Sequence, residues 1–303
     1  MRLGVRIDTD GAGLDTILER VGAVAAAGLD STYFSQLNSW DAIDLAAICA
    51  RTVPGIDVGT AVTQTYPRHP LALASQALTA QAVSGNRFTL GLGPSHPPII
   101  EGQFGYSYDR PARHVREYLS ALGPLLHGEH ADYHGETLTA VGKVALPGAR
   151  APSVLLAALG PVMLDIAGEL ADGTVTVWTG PEAIGDYIAP RITRAASRAG
   201  RAVPRVVACV RVSVTADPDG ARDRLAAMLG AAGQLPSYRS LLERQGKSGV
   251  HETLVAGDET VIARALRSYA DAGATELVVS LHGDQETQAR TLKVLSGLQT
   301  SST

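Results

Sequence analysis

The chain has 303 residues, 45% of them apolar and 18% charged, with a formal net charge of -4. That balance supports a sizeable core, excludes an intrinsically disordered chain, and with no long basic run gives nucleic acid no electrostatic footprint. Its two cysteines, Cys49 and Cys209, sit in apolar stretches with no metal-ligand spacing, and read as core thiols of a reducing compartment rather than a disulfide.

MRLGVRID opens on a strand, with Leu3, Val5 and Ile7 alternating and Asp8 at its end. It has no apolar region of signal-peptide type, and no apolar run elsewhere reaches membrane length, so a cytoplasmic protein with no membrane partner is expected. A helix is predicted over 14–27, stopped by Gly28, and a second strand over 30–35. Asp41 stands near the start of a helix running to about Arg51, where a carboxylate complements the dipole. Pro54-Gly55 turns into a third strand, IDVGTAV, and a helix covers Leu71 to Val83. Gly85-Asn86 turns into the fourth strand, RFTLGLG, followed by a long polar loop to Tyr108 and a helix over 111–126.

Residues 127–150 break the rhythm with strand-like pieces and turn residues, which predicts a hairpin insertion. The fifth strand, VLLAA, is apolar throughout, as a parallel strand covered on both faces would be. Gly160-Pro161 then starts a helix, with proline where its missing N–H costs nothing. A sixth strand covers 174–178, a helix 181–199, a seventh strand 205–215, and helices 218–230 and 236–246. The turn VAGDE leads into a helix over 259–272, an eighth strand over 276–281 and a last helix over 285–298.

Eight strands alternate with helices, and no linker divides the chain. The expectation is an α/β protein, a single (β/α)8 TIM barrel over 1–303, with a hairpin insertion near 127–150 and a helical insertion near 230–256. A dinucleotide-binding reading would need GxGxxG after a strand, and GLGPSH does not supply it.

In such a barrel the chemistry sits at the C-terminal strand ends. The candidates there are Asp8; Ser35, Gln36, Asn38 and Trp40; Ala61, Val62, Thr63, Gln64, Arg68 and His69; Gly93, Ser95 and His96; Gly160; Trp178, Thr179 and Gly180; and His282. They include no carboxylate pair and no Ser-His-Asp arrangement with a nucleophile elbow. Small and neutral polar groups suit a site whose hard chemistry belongs to a bound cofactor. The helix start at Gly160-Pro161 is one place where an anion would find free N–H groups and a favourable dipole; an ordinary strand-helix turn is the other reading.

The runs GTAVTQTYPRHPLALASQALTAQAVSGNRFTLGLGPSH and ALGPVMLDIAGELADGTVTVWTGP resemble the bacterial luciferase-like barrels. With YDRPARHVREYL, AGRAVPRVVACVRVSVT and LPSYRSLL, the chain is similar to the actinobacterial oxidoreductases of that superfamily that use coenzyme F420. The resemblance implies a hydride transfer between the deazaflavin and a small organic substrate, and a homodimer. FMN-dependent monooxygenases share the barrel and are the alternative, and a non-catalytic cofactor carrier is a third reading. The resemblance places a cis peptide at Ala61-Val62 beneath the ring, with Thr63 and Gln64 toward its pyrimidine end, and Ser35, Gly93 and Ser95 around it. It places the phosphate at Gly160, Pro161 and Val162, with Trp178, Thr179 and Gly180 closing over it. Some deazaflavin relatives carry Asp-His, Glu and Lys where this chain has Ser35-Gln36, Ser95-His96 and a lysine-free VWTG loop, so a sugar-phosphate dehydrogenase is not indicated. Gln36 and His96 remain as catalytic candidates, His96 as the proton donor. His69 is expected to orient its loop, Trp40 to staple the second helix to the rim or stand at the pocket mouth, and Arg110, Arg113, His114 and Arg116 to form a solvated face or meet the acidic tail of the cofactor.

Overall fold

Parallel strands with apolar outward faces close into a barrel because each must bury one face under helices and the other inside the ring. The computed structural model describes residues 1–300. The eight barrel strands are β1 (Arg2–Arg6), β2 (Ser31–Phe34), β3 (Asp57–Thr60), β4 (Phe88–Gly93), β5 (Ser153–Ala157), β6 (Gly173–Val177), β7 (Arg205–Val214) and β8 (Glu276–Leu281). They pair in parallel in chain order, and β8 closes the ring against β1. The helices are α1 (Leu14–Ala26), α2 (Ala42–Thr52), α3 (Pro70–Val83), α4 (Pro111–Leu126), α5 (Pro161–Leu170), α6 (Ala189–Arg198), α7 (Pro218–Gly233), α8 (Pro236–Arg244), α9 (Glu259–Asp271) and α10 (Gln285–Thr300). This is the expected (β/α)8 TIM barrel. His130–His134 and Thr139–Lys143 form an antiparallel hairpin between α4 and β5.

Alternation along each strand divides the core in two. Leu3, Val5 and Ile7, Val206, Ala208 and Val210, and Leu277 and Val279 face the helices. Leu155, Val175, Val207 and Val278 fill the barrel interior with Tyr33. Below them, at the N-terminal end, Glu276 is buried and accepts from Arg205 (2.7 Å), Ser31 Oγ (2.5 Å) and Tyr33 (3.3 Å). Arg205 also donates to Ser153 (2.9 Å) and Thr89 (3.3 Å). The lower barrel is therefore sealed by a charge network whose members are all paired.

Three segments differ from expectation, each for a physical reason. The helix expected over 181–199 is broken into a turn at Pro181–Ala183, a π-turn at Ile184–Ile188 and α6. Pro190 cannot donate within a continuous helix, and the wider π-turn brings it to the start of a new one. The polar loop after β4 contains a short helix, Pro97–Ile100, begun by two prolines. VAGDE is not only a turn: Val255–Gly257 pairs with Val212–Val214, covering the edge that β7 exposes by running past the rim.

Candidate active site

The mouth of the barrel is organised by the break between β3 and its continuation, Thr63–Gln64, which pairs with Leu92 and Gly93 of β4. The Ala61-Val62 peptide in that break is cis, at the position the family resemblance implies. Both of its flanking carbonyls are tied to the end of β2. Ser35 Oγ donates to Ala61 O (2.8 Å), and Gln36 N–H donates to Val62 O (3.1 Å). Among the described residues the Val62 N–H meets no acceptor.

Glycines make room for this bulge. A Cβ on Gly91 would lie 1.9 Å from the Thr60 carbonyl oxygen, and one on Gly93 would lie 2.9 Å from Val62 Cγ2 and 3.2 Å from the Ala157 Cβ. Thr60 Oγ1 completes the ladder there, donating to Gly91 O (2.8 Å) and accepting from Gly91 N–H (2.9 Å). Since the clash at Gly91 is with backbone, Gly91→Ala should destabilise the protein by about 2–3 kcal/mol. Urea unfolding would read this, with Gly13→Ala, where a Cβ meets no neighbour within 4 Å, as the benign comparison.

Gln36 is not placed as a catalytic group would be. Its Oε1 accepts from Ala42 N–H (2.9 Å) and Arg68 (3.1 Å), and its Nε2 donates to Leu37 O (3.1 Å). Its amide is spent on the β2 loop, which makes it a positioning residue. Gln64 is likewise engaged, donating to Gln36 O (3.3 Å). Thr63 is fully buried, with an Oγ1 that finds no partner among the described residues.

His96 precedes the short helix and lies against Tyr238 of α8, ring centroids 4.8 Å apart. Tyr238 also packs on Trp178 (4.4 Å), so α8 lays an aromatic bridge across the mouth. Burial lowers the His96 pKa from its ordinary value, so its imidazole is neutral at neutral pH. Burial, with Cys209 nearby, pushes the Tyr238 hydroxyl up to about 12 and keeps it protonated. Ser95 takes a left-handed conformation, φ +62°, and its carbonyl accepts from Tyr108 (2.7 Å). Tyr238 was not singled out from sequence. An aromatic within LPSYRSLL, in the stretch where the barrel rhythm lapses, was the available signal.

The helix start after β5 is open. Gly160 is the N-cap of α5 in extended conformation, no side chain caps it, and a Cβ there would meet nothing within 4 Å. Pro161 has no N–H, and Val162 is 55% exposed. The free amides of the first turn therefore face open space. Trp178, Thr179 and Gly180, expected to close over a phosphate, have polar groups engaged within the protein. Gln245 Nε2 donates to Trp178 O (3.0 Å) and Gly180 N–H donates to Gln245 Oε1 (2.7 Å). Thr179 Oγ1 pairs with Thr176 Oγ1 (2.8 Å), and its carbonyl accepts from Tyr269 (2.9 Å). The hydrogen bonds of that loop run to α8, α9 and the barrel wall. Gln245 became meaningful only once the loop was folded.

Of the flanking residues, His69 caps α3, accepting from Leu71 N–H and donating to Thr139 O (2.8 Å). Trp40 donates to Ala12 O (3.0 Å) at the rim. Arg110 and Arg113 both pair with Glu136, Arg116 pairs with Glu169, and His114 is buried and held down to about 4. The basic stretch is thus a face of internal ion pairs. A cleft of about 570 Å³ opens beside it, between residues 65–70, residues 106–110 and the hairpin. Neither Val62 nor Gly160 lines it.

Residues 1–276 match the family model of the luciferase-like monooxygenases. The chain belongs to the luciferase-like monooxygenase family. Among its relatives is a Mycobacterium tuberculosis protein named for coenzyme F420-dependent oxidoreductase activity, 29% identical over 272 residues, 84% of this chain and 75% of that one. The coenzyme F420-dependent tetrahydromethanopterin reductase of Methanopyrus kandleri superposes with a TM-score of 0.82 at 21% identity, over 97% of each chain. The oxygenating constituent of 3,6-diketocamphane monooxygenase from Pseudomonas putida, in complex with FMN, superposes with a TM-score of 0.77 at 17% identity, over 98% of this chain and 96% of that one. These two structures show that this luciferase-like chain shares their fold. With one named for F420 and one holding FMN, the fold itself is neutral between the cofactors. No helix among the described residues is long and apolar enough to cross a membrane.

Proposed function

We propose that this protein is a coenzyme F420-dependent oxidoreductase acting on a small organic substrate. The observation that carries the reading is the pairing, on one barrel face, of a small-residue platform at Val62, Gly93 and Ala157 with the uncapped helix start at Gly160. The first suits a flat ring and the second a phosphate. Among the described residues the mouth offers no acid pair or activated nucleophile of its own, and the relative with the F420-dependent name aligns with 84% of the chain. Bound F420 supplies a two-electron hydride donor or acceptor. The Val62 N–H is free to donate to it, and the first turn of α5 to hold its phosphate.

His96 handles the proton. As a neutral imidazole it accepts one from an alcohol during oxidation, and its protonated form returns one to a carbonyl during reduction. Tyr238 and Trp178 exclude water from the mouth. Because burial lowers the His96 pKa, oxidation should be at its plateau at pH 7 and fall on acidification, with a midpoint below 6.5. Reduction should change in the opposite sense. His96→Gln should abolish the inflection in kcat, and a profile unchanged by that substitution would remove His96 from the proton path.

The decisive test of the cofactor is parallel titration with F420 and FMN. Micromolar binding of F420, with FMN at least about tenfold weaker, is expected. Binding of FMN alone, with oxygen uptake once it is reduced, would replace this reading with that of a flavin monooxygenase. A homodimer is the proposed assembly, and sedimentation of the full chain measures it.

A further inference from the structure

Above the apolar middle of the barrel, the inward face carries a second level of charge. Arg6 ends β1, and its inward neighbour across the sheet is Ser280 of β8. Ser280 is in turn the register partner of Arg211 on β7. Three adjacent strands therefore present Arg6, Ser280 and Arg211 side by side at the C-terminal end, beside Cys209 and below the aromatic bridge of Tyr238.

The two levels of charge differ in one respect. Lower in the barrel, Arg205 has a carboxylate, Glu276, at 2.7 Å. In the upper level Arg6 donates to Ser280 Oγ (2.8 Å) and pairs with no carboxylate. The Arg211 side chain makes no hydrogen bond or ion pair among the described residues. The nearest acid is Asp8, an exposed side chain whose Oδ1 accepts from Asp10 N–H (3.3 Å). Two half-buried guanidinium groups thus share a layer in which Asp8 is close enough to act on Arg211, but no carboxylate forms an ion pair with either arginine among the described residues. Burial and the facing charge of Arg6 pull the Arg211 pKa down to about 10, so Arg211 remains charged at neutral pH. Such an arrangement is unfavourable in a half-buried site unless something else brings the negative charge. Two guanidinium groups at one level also suit the planar, multi-oxygen geometry of an oxyanion.

We propose that Arg6 and Arg211 form an oxyanion-binding subsite in the barrel mouth, and that the substrate is an organic acid whose carboxylate or phosphate is held there. That the anion belongs to the substrate, with the cofactor phosphate at Gly160, rests on the function proposed above. The subsite would orient one end of the substrate on the β7–β8–β1 side while its reacting carbon lies toward Val62 and His96. Neutral alcohols and ketones would lack this anchor.

Thermal unfolding of the full chain in inorganic phosphate and in chloride, at equal ionic strength and without cofactor, tests the subsite by itself. Phosphate should raise the wild-type Tm by about 3 °C. In Arg211→Met the shift should fall to the part that the Gly160 amides supply, less than half of the wild-type value, while its Tm in chloride equals or exceeds that of the wild type, because no ion-pair partner is lost. Arg211→Lys, which keeps the charge, should retain part of the shift and serves if the Met variant does not fold. An equal phosphate shift in the wild type and Arg211→Met would overturn the subsite. F420 titration separates the two sources of anion. If phosphate competes with F420 and Arg211→Met weakens F420 about tenfold, the arginines hold the cofactor and the substrate assignment falls. With F420 affinity kept, the kcat/KM ratio of a 2-oxo acid over its neutral amide should drop at least about tenfold in Arg211→Met. A phosphate shift in a protein that binds no F420 would support the anion subsite and overturn only the cofactor reading.

Discussion

Glu276→Ala should bring the protein close to unfolding. The carboxylate is 1% exposed and takes three hydrogen bonds, from Arg205, Ser31 and Tyr33. Removing it leaves Arg205 inside the barrel with its charge uncompensated and Ser31 without its acceptor. Loss of one member of a buried pair costs about 3–5 kcal/mol. Arg205 is 28% exposed, so solvent screens part of the loss and the lower end, about 3 kcal/mol, is expected. Against a total of about 5–15 kcal/mol for a folded domain, that is a large share. Denaturant midpoints would show it. Glu276→Gln keeps an oxygen for Ser31 and should cost less. The double change Glu276→Leu with Arg205→Met removes both charges together and should recover much of the loss. A double variant as unstable as Glu276→Ala would mean that shape, rather than unpaired charge, decides the stability of this layer.

The same network shows where sequence reading stops. The eight-fold alternation of strand and helix was legible because most barrel strands are apolar on their helix-facing side, Thr174 and Thr176 of β6 being exceptions, and most helices have a proline or polar start. The helix after Gly160 was legible from Pro161 and the helical period of Val162, Leu164, Ile166, Ala167 and Leu170. The cis peptide at Ala61-Val62 came from the family resemblance, not from the residues themselves. The two levels of arginine were not legible. Arg6, Arg205 and Arg211 each stand in a strand, and nothing local distinguishes the one with a carboxylate from the two without. Only the folded barrel decides that the Arg205 side chain reaches Glu276 (2.7 Å), the register partner of Val207, while Ser280 lies between Arg6 and Arg211. The hydrogen bonding of Gln36 was not legible for a related reason. A polar residue at a strand end can face the mouth or brace its loop, and the choice depended on Arg68, thirty-two positions away. Tyr238 required knowing where the helix after the seventh unit folds back, which neither periodicity nor spacing determines.

Gly160→Asp should move stability and cofactor binding in opposite directions. Position 160 is the N-cap of α5, its backbone is extended (φ -89°, ψ 161°), and a Cβ there has open space. These are the requirements of an aspartate cap, whose carboxylate would accept from the free N–H of Val162 or Met163 and complement the helix dipole. The cofactor-free protein should therefore gain about 0.5–1 kcal/mol. The same carboxylate would consume the donors proposed for the phosphate and set a negative charge against it, so F420 affinity should fall at least about a hundredfold. Gly160→Ala separates the causes. It fills the same space without charge or acceptor, so it should lose about 0.5–1 kcal/mol of stability but little affinity if the amides, rather than the absence of a side chain, hold the phosphate. A higher melting temperature for Gly160→Asp with unchanged F420 affinity would place the phosphate elsewhere. Arg6 and Arg211 would then be the first residues to examine for it, since among the described residues neither has a carboxylate partner within the barrel.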